Sequence, residues 1–298
     1  MNRIHKRFRA LVPSILISVS LMGTEWTDSA AFSKRQEALI YISAMSSLPQ
    51  SEFWPHVDPK EFTKDLEGDI RQPLRIYEGK VTNFCSYAAL TYIPFHYDPL
   101  GFVQFMFELY KNGKARLGKV NFEPGDEVRN VAGLLKNKGF LDIAPANQVW
   151  FLCLADRFKG YLNVFNKQFD PGDENNLCAA TNFSKFNRMI RQLFPMKVKA
   201  KGFDFLRPAI KDMILYLEEK LQTGTLFMYV NNRKLYKIKD NTASRVDVPT
   251  HFLVLLSMTR VDNRYRLTYW DYGRISVQEL SASFIRKITF GVTHCTLR

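Results

Sequence analysis

The sequence is poor in the residues that build metal centres. Its 298 residues include four cysteines (Cys85, Cys153, Cys178 and Cys295) and five histidines. No two cysteines have the CxxC spacing on which zinc sites are commonly built, so no metal is expected, and no organic cofactor is implied. Low-complexity tracts and internal repeats are also missing, which excludes a solenoid or a linker-like chain. Long apolar runs are scarce too. The stretch at residues 11–23 is 13 residues long, short of the roughly 20 that cross a bilayer as a helix. Acidic side chains are outnumbered, 29 Asp and Glu against 42 Lys and Arg, for a formal charge of +13.

What is present describes a globular chain. Hydrophobic residues make up 46% and charged residues 24%, enough for a real core in one large domain or two modest ones. The positive charge is concentrated: residues 181–240 hold 13 basic and 5 acidic side chains. That region favours an anionic partner. No recognisable nucleic-acid motif accompanies it, so a solvated basic face is expected there and no specific nucleic acid is predicted.

The N-terminus has two readings. MNRIHKRFRA carries four basic residues and no acid, the apolar stretch follows, and small residues surround Ala31. This is the layout of a secretory signal peptide covering residues 1–31, which would send the chain to the periplasm or outside the cell. Pro13, Glu25 and Asp28 fit that layout poorly, and the other reading is a basic amphipathic helix on a cytoplasmic or delivered protein. If the chain is exported, one pair among Cys153, Cys178 and Cys295 could be bridged.

Helical patterns dominate the first half. They are expected over 32–50, closed by Pro49; over a short helix from Cys85 to Tyr92, stopped before Pro94; and from Asp98-Pro99 to Asn112-Gly113. Residues 125–139 and part of 145–166 read the same way. In the second half Pro208 opens a helix that ends before Gly224. Short β-type runs follow at 225–230, 234–239, 250–258, 265–272, 274–280 and 288–292. The expected fold is α+β, with a helical part (about 32–168) and a part rich in antiparallel strands (about 179–298). The loop FDPGDENNLC at 169–178 separates them.

Thiol catalysis needs a thiolate, an imidazole to move its proton and a polar group to orient the imidazole. Cys85 in NFCSYAAL stands where a helix can begin, and a helix N-terminus favours the thiolate. Its backbone N–H groups can also hold an oxyanion, with Asn83 as a side-chain donor or else as a plain helix cap. His251 opens the apolar strand THFLVLL, and Asp271 closes the next strand in YWDYG. Antiparallel pairing puts these two at one sheet edge. His96 is a rival base from a turn. Trp270 either lines the site or packs under the sheet, and Phe102, Phe105, Phe107 and Tyr110 read as helix core.

The order and placement of Cys85, His251 and Asp271 resemble the papain-like cysteine peptidase superfamily. ILYLEEKLQTGTLFMYV before His251 and ISVQELSASFIRKITFGV at the end are similar to its bacterial, effector-type members. The likeness spans roughly residues 80–292, with loose local motifs and a specific combination. It implies a thiol hydrolase, in first place a peptidase acting on a peptide or protein. Cell-wall amidases, deamidases and acyltransferases share the triad. The family usually places an oxyanion glutamine six residues before the cysteine, where this chain has Gly79, and often a glycine just after it, where this chain has Ser86. The first departure favours the opposing class, a non-catalytic basic binding module on the same fold.

Overall fold

The computed structural model describes residues 29–45, 47–79, 82–134, 143–158, 180–236 and 247–298, with side chains from residue 34 onward. The basic segment at 1–28, the loop at 169–178 and Cys178 lie outside the described residues. Six α-helices come first among the described residues: α1 (Ser29–Ala44), α2 (Pro59–Arg71), α3 (Cys85–Tyr97), α4 (Pro99–Asn112), α5 (Asp126–Val131) and α6 (Pro145–Phe158). A hairpin of β1 (Ala115–Leu117) and β2 (Val120–Phe122) sits between α4 and α5. Local chemistry sets the helix ends. The Asp58 carboxylate accepts from the Lys60 and Glu61 N–H groups ahead of Pro59, and Asp98 accepts from Gly101 N–H ahead of Pro99. Gly113 ends α4 at φ 65°, where an added Cβ would fall 2.4 Å from the Phe53 ring.

The second half holds α7 (Phe183–Leu193), β3 (Met196–Gly202), α8 (Met213–Leu221), β4 (Thr225–Val230), α9 (Asn232–Leu235), β5 (His251–Val261), β6 (Arg264–Asp271), β7 (Arg274–Leu280), α10 (Ala282–Ile288) and β8 (Thr289–Leu297). Strands β3 to β8 form one antiparallel sheet in the order β3-β8-β4-β5-β6-β7. The chain is thus α+β, with helices gathered in the N-terminal half and the sheet in the C-terminal half.

Alternation along the strands gives the sheet two apolar faces. Phe227, Tyr229, Phe252, Val254, Trp270 and Phe290 join the core of the N-terminal helices. Leu226, Met228, Leu253, Leu255, Tyr269 and Val292 meet α8 and α10 on the other side. Two-sided burial explains why β4 is apolar at nearly every position and why all six of its residues are buried.

Elements α2, α7, α10, β1, β2 and β3 are not among those expected from the sequence, and four expected elements take another form. Helix α3 runs through Pro94 to Tyr97. A proline there removes one backbone hydrogen bond, but Pro94 and Phe95 are buried in a packed setting that holds the helix together. Helix α5 is cut short because Ala132 turns extended (φ −58°, ψ 130°) and Gly133 takes φ 92°. Helix α8 starts after Asp212, whose side chain caps Leu215 N–H, and not at Pro208. Residues 232–235 form a helical turn capped by Asn231 that takes in the first two positions of the strand expected at 234–239, and residues 237–239 lie outside the described residues. No helix of the described residues is long and apolar enough to cross a membrane.

Candidate active site

Helix α3 packs on strand β5, and this contact brings the site together. The turn leading into α3 is shaped by Thr82. Its hydroxyl donates to the Glu78 carbonyl at 2.6 Å and accepts from Phe84 N–H at 3.2 Å. Phe84 and Tyr87 are buried on either side of Cys85. Further along, Trp150 Nε1 donates to Thr91 Oγ1 at 2.8 Å and Thr91 donates to the Tyr87 carbonyl at 2.7 Å. Cys85 is therefore the first residue of an anchored helix. It is half-buried, and the leading N–H groups of a helix have no acceptor within it.

His251 opens β5 opposite Val230, with its side chain 2% exposed. Its Nε2 lies 2.6 Å from Asp271 Oδ1, and Cys85 lies close enough to interact electrostatically with its ring. With Nε2 committed to Asp271, Nδ1 is the nitrogen left for the sulfur. The second oxygen of Asp271 accepts from the Tyr236 hydroxyl. Tyr272 stacks on the imidazole, with ring centroids 4.4 Å apart and 17° between planes. Tyr272 stands at φ 47°, and Asn232 Nδ2 donates to its hydroxyl at 2.8 Å. The Thr250 hydroxyl donates in turn to Asn232.

The electrostatics follow from this packing. Burial alone would lower the His251 pKa, but its hydrogen bond to Asp271 and its interactions with Cys85 and with the Asp271 charge outweigh it, and the pKa is raised well above the ordinary imidazole value. Glu78 is also fully buried, and burial pushes its carboxyl up to about 7, held down partly by His251 and raised further by Asp271. Its Oε2 has no hydrogen-bond partner. Burial raises the other described thiols, Cys295 to about 12 and Cys153 well above the usual range. Neither is in a disulfide.

Cys85, His251 and Asp271 therefore stand together, His251 hydrogen-bonded to Asp271 and interacting with Cys85. Asn83 is half-buried in the turn just ahead of Cys85. Trp270 does not reach the surface: it is 2% exposed and its Nε1 donates to the Leu74 carbonyl at 2.7 Å. His96 sits in the last turn of α3 against Tyr92 and Tyr97, about 16 Å along the helix from Cys85 at 1.5 Å per residue. Sequence reasoning did not single out Glu78, Tyr236 or Tyr272. Only Tyr272 carried a signal, as the residue following Asp271 into a Tyr-Gly turn.

Glu78, His251 and Asp271 each offer one donor atom within 4.8 Å of the others, the one such group among the described residues. Two ligands held tetrahedrally at about 2.0–2.1 Å from one ion lie about 3.3 Å apart. The 2.6 Å between His251 and Asp271 suits a shared proton better than a shared ion. No protein-family model matches the sequence, and no curated protein matches it. The geometry and chemistry of the site therefore carry the functional argument.

Proposed function

We propose that the chain is a thiol hydrolase on a papain-like fold, a cysteine peptidase with Cys85 as nucleophile, His251 as base and then acid, and Asp271 as the group that orients His251. The observation that carries this reading is the buried His251–Asp271 hydrogen bond at the end of β5, with Cys85 at the start of α3 beside the imidazole. An imidazole with a raised pKa beside Asp271 is a base suited to take the proton of the Cys85 thiol. The thiolate attacks the substrate carbonyl carbon, and the oxygen of the tetrahedral intermediate is held by N–H groups at the start of α3, with Asn83 as a candidate side-chain donor. His251 then protonates the leaving amine as the C–N bond breaks, leaving an acyl-thioester on Cys85. Water, deprotonated by His251, attacks that thioester and releases the acid and the free thiol.

Amidases and deamidases follow the same steps on other substrates, and acyltransferases replace water with another acceptor. A binding-only reading rests on Gly79, which stands at φ 90° and has no side chain to offer an oxyanion. Iodoacetamide labelling at neutral pH separates the two classes. Cys85 is expected to be alkylated faster than a free-solution thiol and far faster than Cys153 or Cys295, and His251→Ala is expected to slow it. Alkylation no faster than that of a free thiol would overturn the hydrolase reading. A hydrolysis screen on mixed peptides and on peptidoglycan then divides peptidase from wall amidase.

A further inference from the structure

At the end of the edge strand β3 the chain holds three large apolar side chains in water. Phe203 is 68% exposed, Phe205 70% and Leu206 68%. The loop that carries them is pinned at its base. Phe203 N–H donates to the Phe290 carbonyl at 3.1 Å. Arg207 lies over the Phe290 ring at 4.8 Å, donates to the Lys287 carbonyl and pairs with Asp247. Pro208 and Ile210 are buried just beyond. The apolar side chains are thus presented outward on a fixed backbone.

The charges around the loop are sorted. Asp204 turns inward and accepts from Phe183 N–H at 2.9 Å, while Asp212 is used in capping α8 at 3.0 Å. Lys197, Lys199 and Lys201 project from alternate positions of β3 and are exposed, as is Lys211 after the loop. The exposed apolar tip is therefore flanked by cations, while Asp204 and Asp212 each accept a backbone N–H.

We propose that residues 203–206, with Lys197, Lys199, Lys201 and Lys211, dock this protein on an anionic phospholipid surface. Three side chains on one projecting loop offer far less than the roughly 800 Å² per partner of a stable protein interface. Aromatic rings at headgroup depth with lysines beside them match the bilayer boundary. The placement also bears on the candidate site. Gly202 lies beside Gly291, Gly291 beside Tyr229, and Tyr229 beside Phe252, the neighbour of His251. Three strand spacings, about 14 Å, thus separate the loop's root from the His251 end of β5. A docked protein would hold that end of the sheet close to the bilayer. This inference stands apart from the catalytic reading and survives its failure.

The test is co-sedimentation of the full chain with vesicles of phosphatidylcholine alone or with 30% phosphatidylserine added, the latter composition chosen as about the anionic content that gives a strong surface potential. The wild type is expected to pellet with the anionic vesicles and to be released by raised salt. Phe203→Ser/Phe205→Ser/Leu206→Ser is expected to weaken partitioning at least tenfold, and each of Lys199→Gln and Lys201→Gln about fivefold. Circular dichroism melting checks that the variants fold, and Phe205→Ser alone serves if the triple variant does not. Three results would overturn the proposal: no binding by the wild type, equal binding by the apolar variants, or concentration-dependent self-association through these residues without vesicle binding. Iodoacetamide labelling of Cys85 is expected to be the same in wild type and variants, which keeps this test separate from that of the hydrolase.

Discussion

Asp271 divides its two oxygens between partners, Oδ1 to the His251 ring and Oδ2 to the Tyr236 hydroxyl. The carboxylate is buried, so each bond fixes its orientation as well as satisfying a lone pair. Asp271→Asn keeps the shape but removes the charge that stabilises an imidazolium. It is expected to slow Cys85 alkylation and to reduce hydrolysis by about 10²–10⁴, the usual contribution of a positioned acid–base system. Steady-state rates on whichever substrate the screen finds check this, and wild-type rates in the variant would remove Asp271 from the mechanism. Tyr236→Phe acts differently, because it leaves one carboxylate oxygen buried without its donor. The expected cost is about 1–3 kcal/mol of stability, read by urea unfolding, with Cys85 still labelled faster than the other thiols. A variant as stable as the wild type would show that this bond contributes little.

Among the elements, α3 is the one on which the site depends, since it sets the height of Cys85 against β5. Trp150 of α6 holds it, hydrogen-bonding Thr91 while its ring meets Phe102, Phe105 and Phe122 at centroid distances of 5.3, 5.7 and 5.9 Å. Trp150→Ala should cost about 3–5 kcal/mol in an unfolding titration and should also slow Cys85 alkylation, although it touches neither His251 nor Asp271. Loss of stability with unchanged labelling would mean that α3 keeps its place without this anchor. Legibility in the sequence also divides by element. Strands β4, β5 and β6 were readable because apolar and β-branched runs lie between turn residues, and the ends of α4 because Asp98 and Gly113 mark them. Strand β3 was not readable, since the lysines that alternate along MKVKAKG in the manner of an edge strand fit a solvated basic face equally well. The short helix at 232–235 depends on the Asn231 cap, which a β-type run of KLYKIK concealed. At the site, the residues with a chain-order pattern stood out. Glu78 and Tyr236 did not, because each reaches the site by tertiary packing that no local spacing records.

At the scale of the whole molecule, buried ionisable groups tie folding to pH. Burial raises the carboxyls of Asp65 to about 6, Glu78 to about 7 and Asp69 to about 8. In the unfolded chain such groups ionise near 4, so between about pH 4 and 8 the folded state binds more protons than the unfolded one. Stability therefore falls as pH rises across that window. His251 acts in the same direction: its raised pKa gives stability at low pH that is lost as pH climbs through the folded value. His294 opposes them, since burial lowers its pKa and favours the neutral ring at higher pH, but it is one group against four. Asp247, held low by Lys234, Arg207 and Asn231 against its own desolvation, loses its contribution only as pH falls through the carboxylate range below this window. The urea midpoint is accordingly expected to be higher at pH 5 than at pH 8. Glu78→Gln isolates one contribution, because glutamine keeps the shape and cannot ionise. It should match the wild type near pH 4 and exceed it at pH 8 by roughly 3.6 kcal/mol, the size of a shift from about 4.3 to 7. A wild type whose stability is flat or rising from pH 5 to 8 would mean that these carboxylates are ionised in the fold, and Glu78 would then face His251 as a second anion.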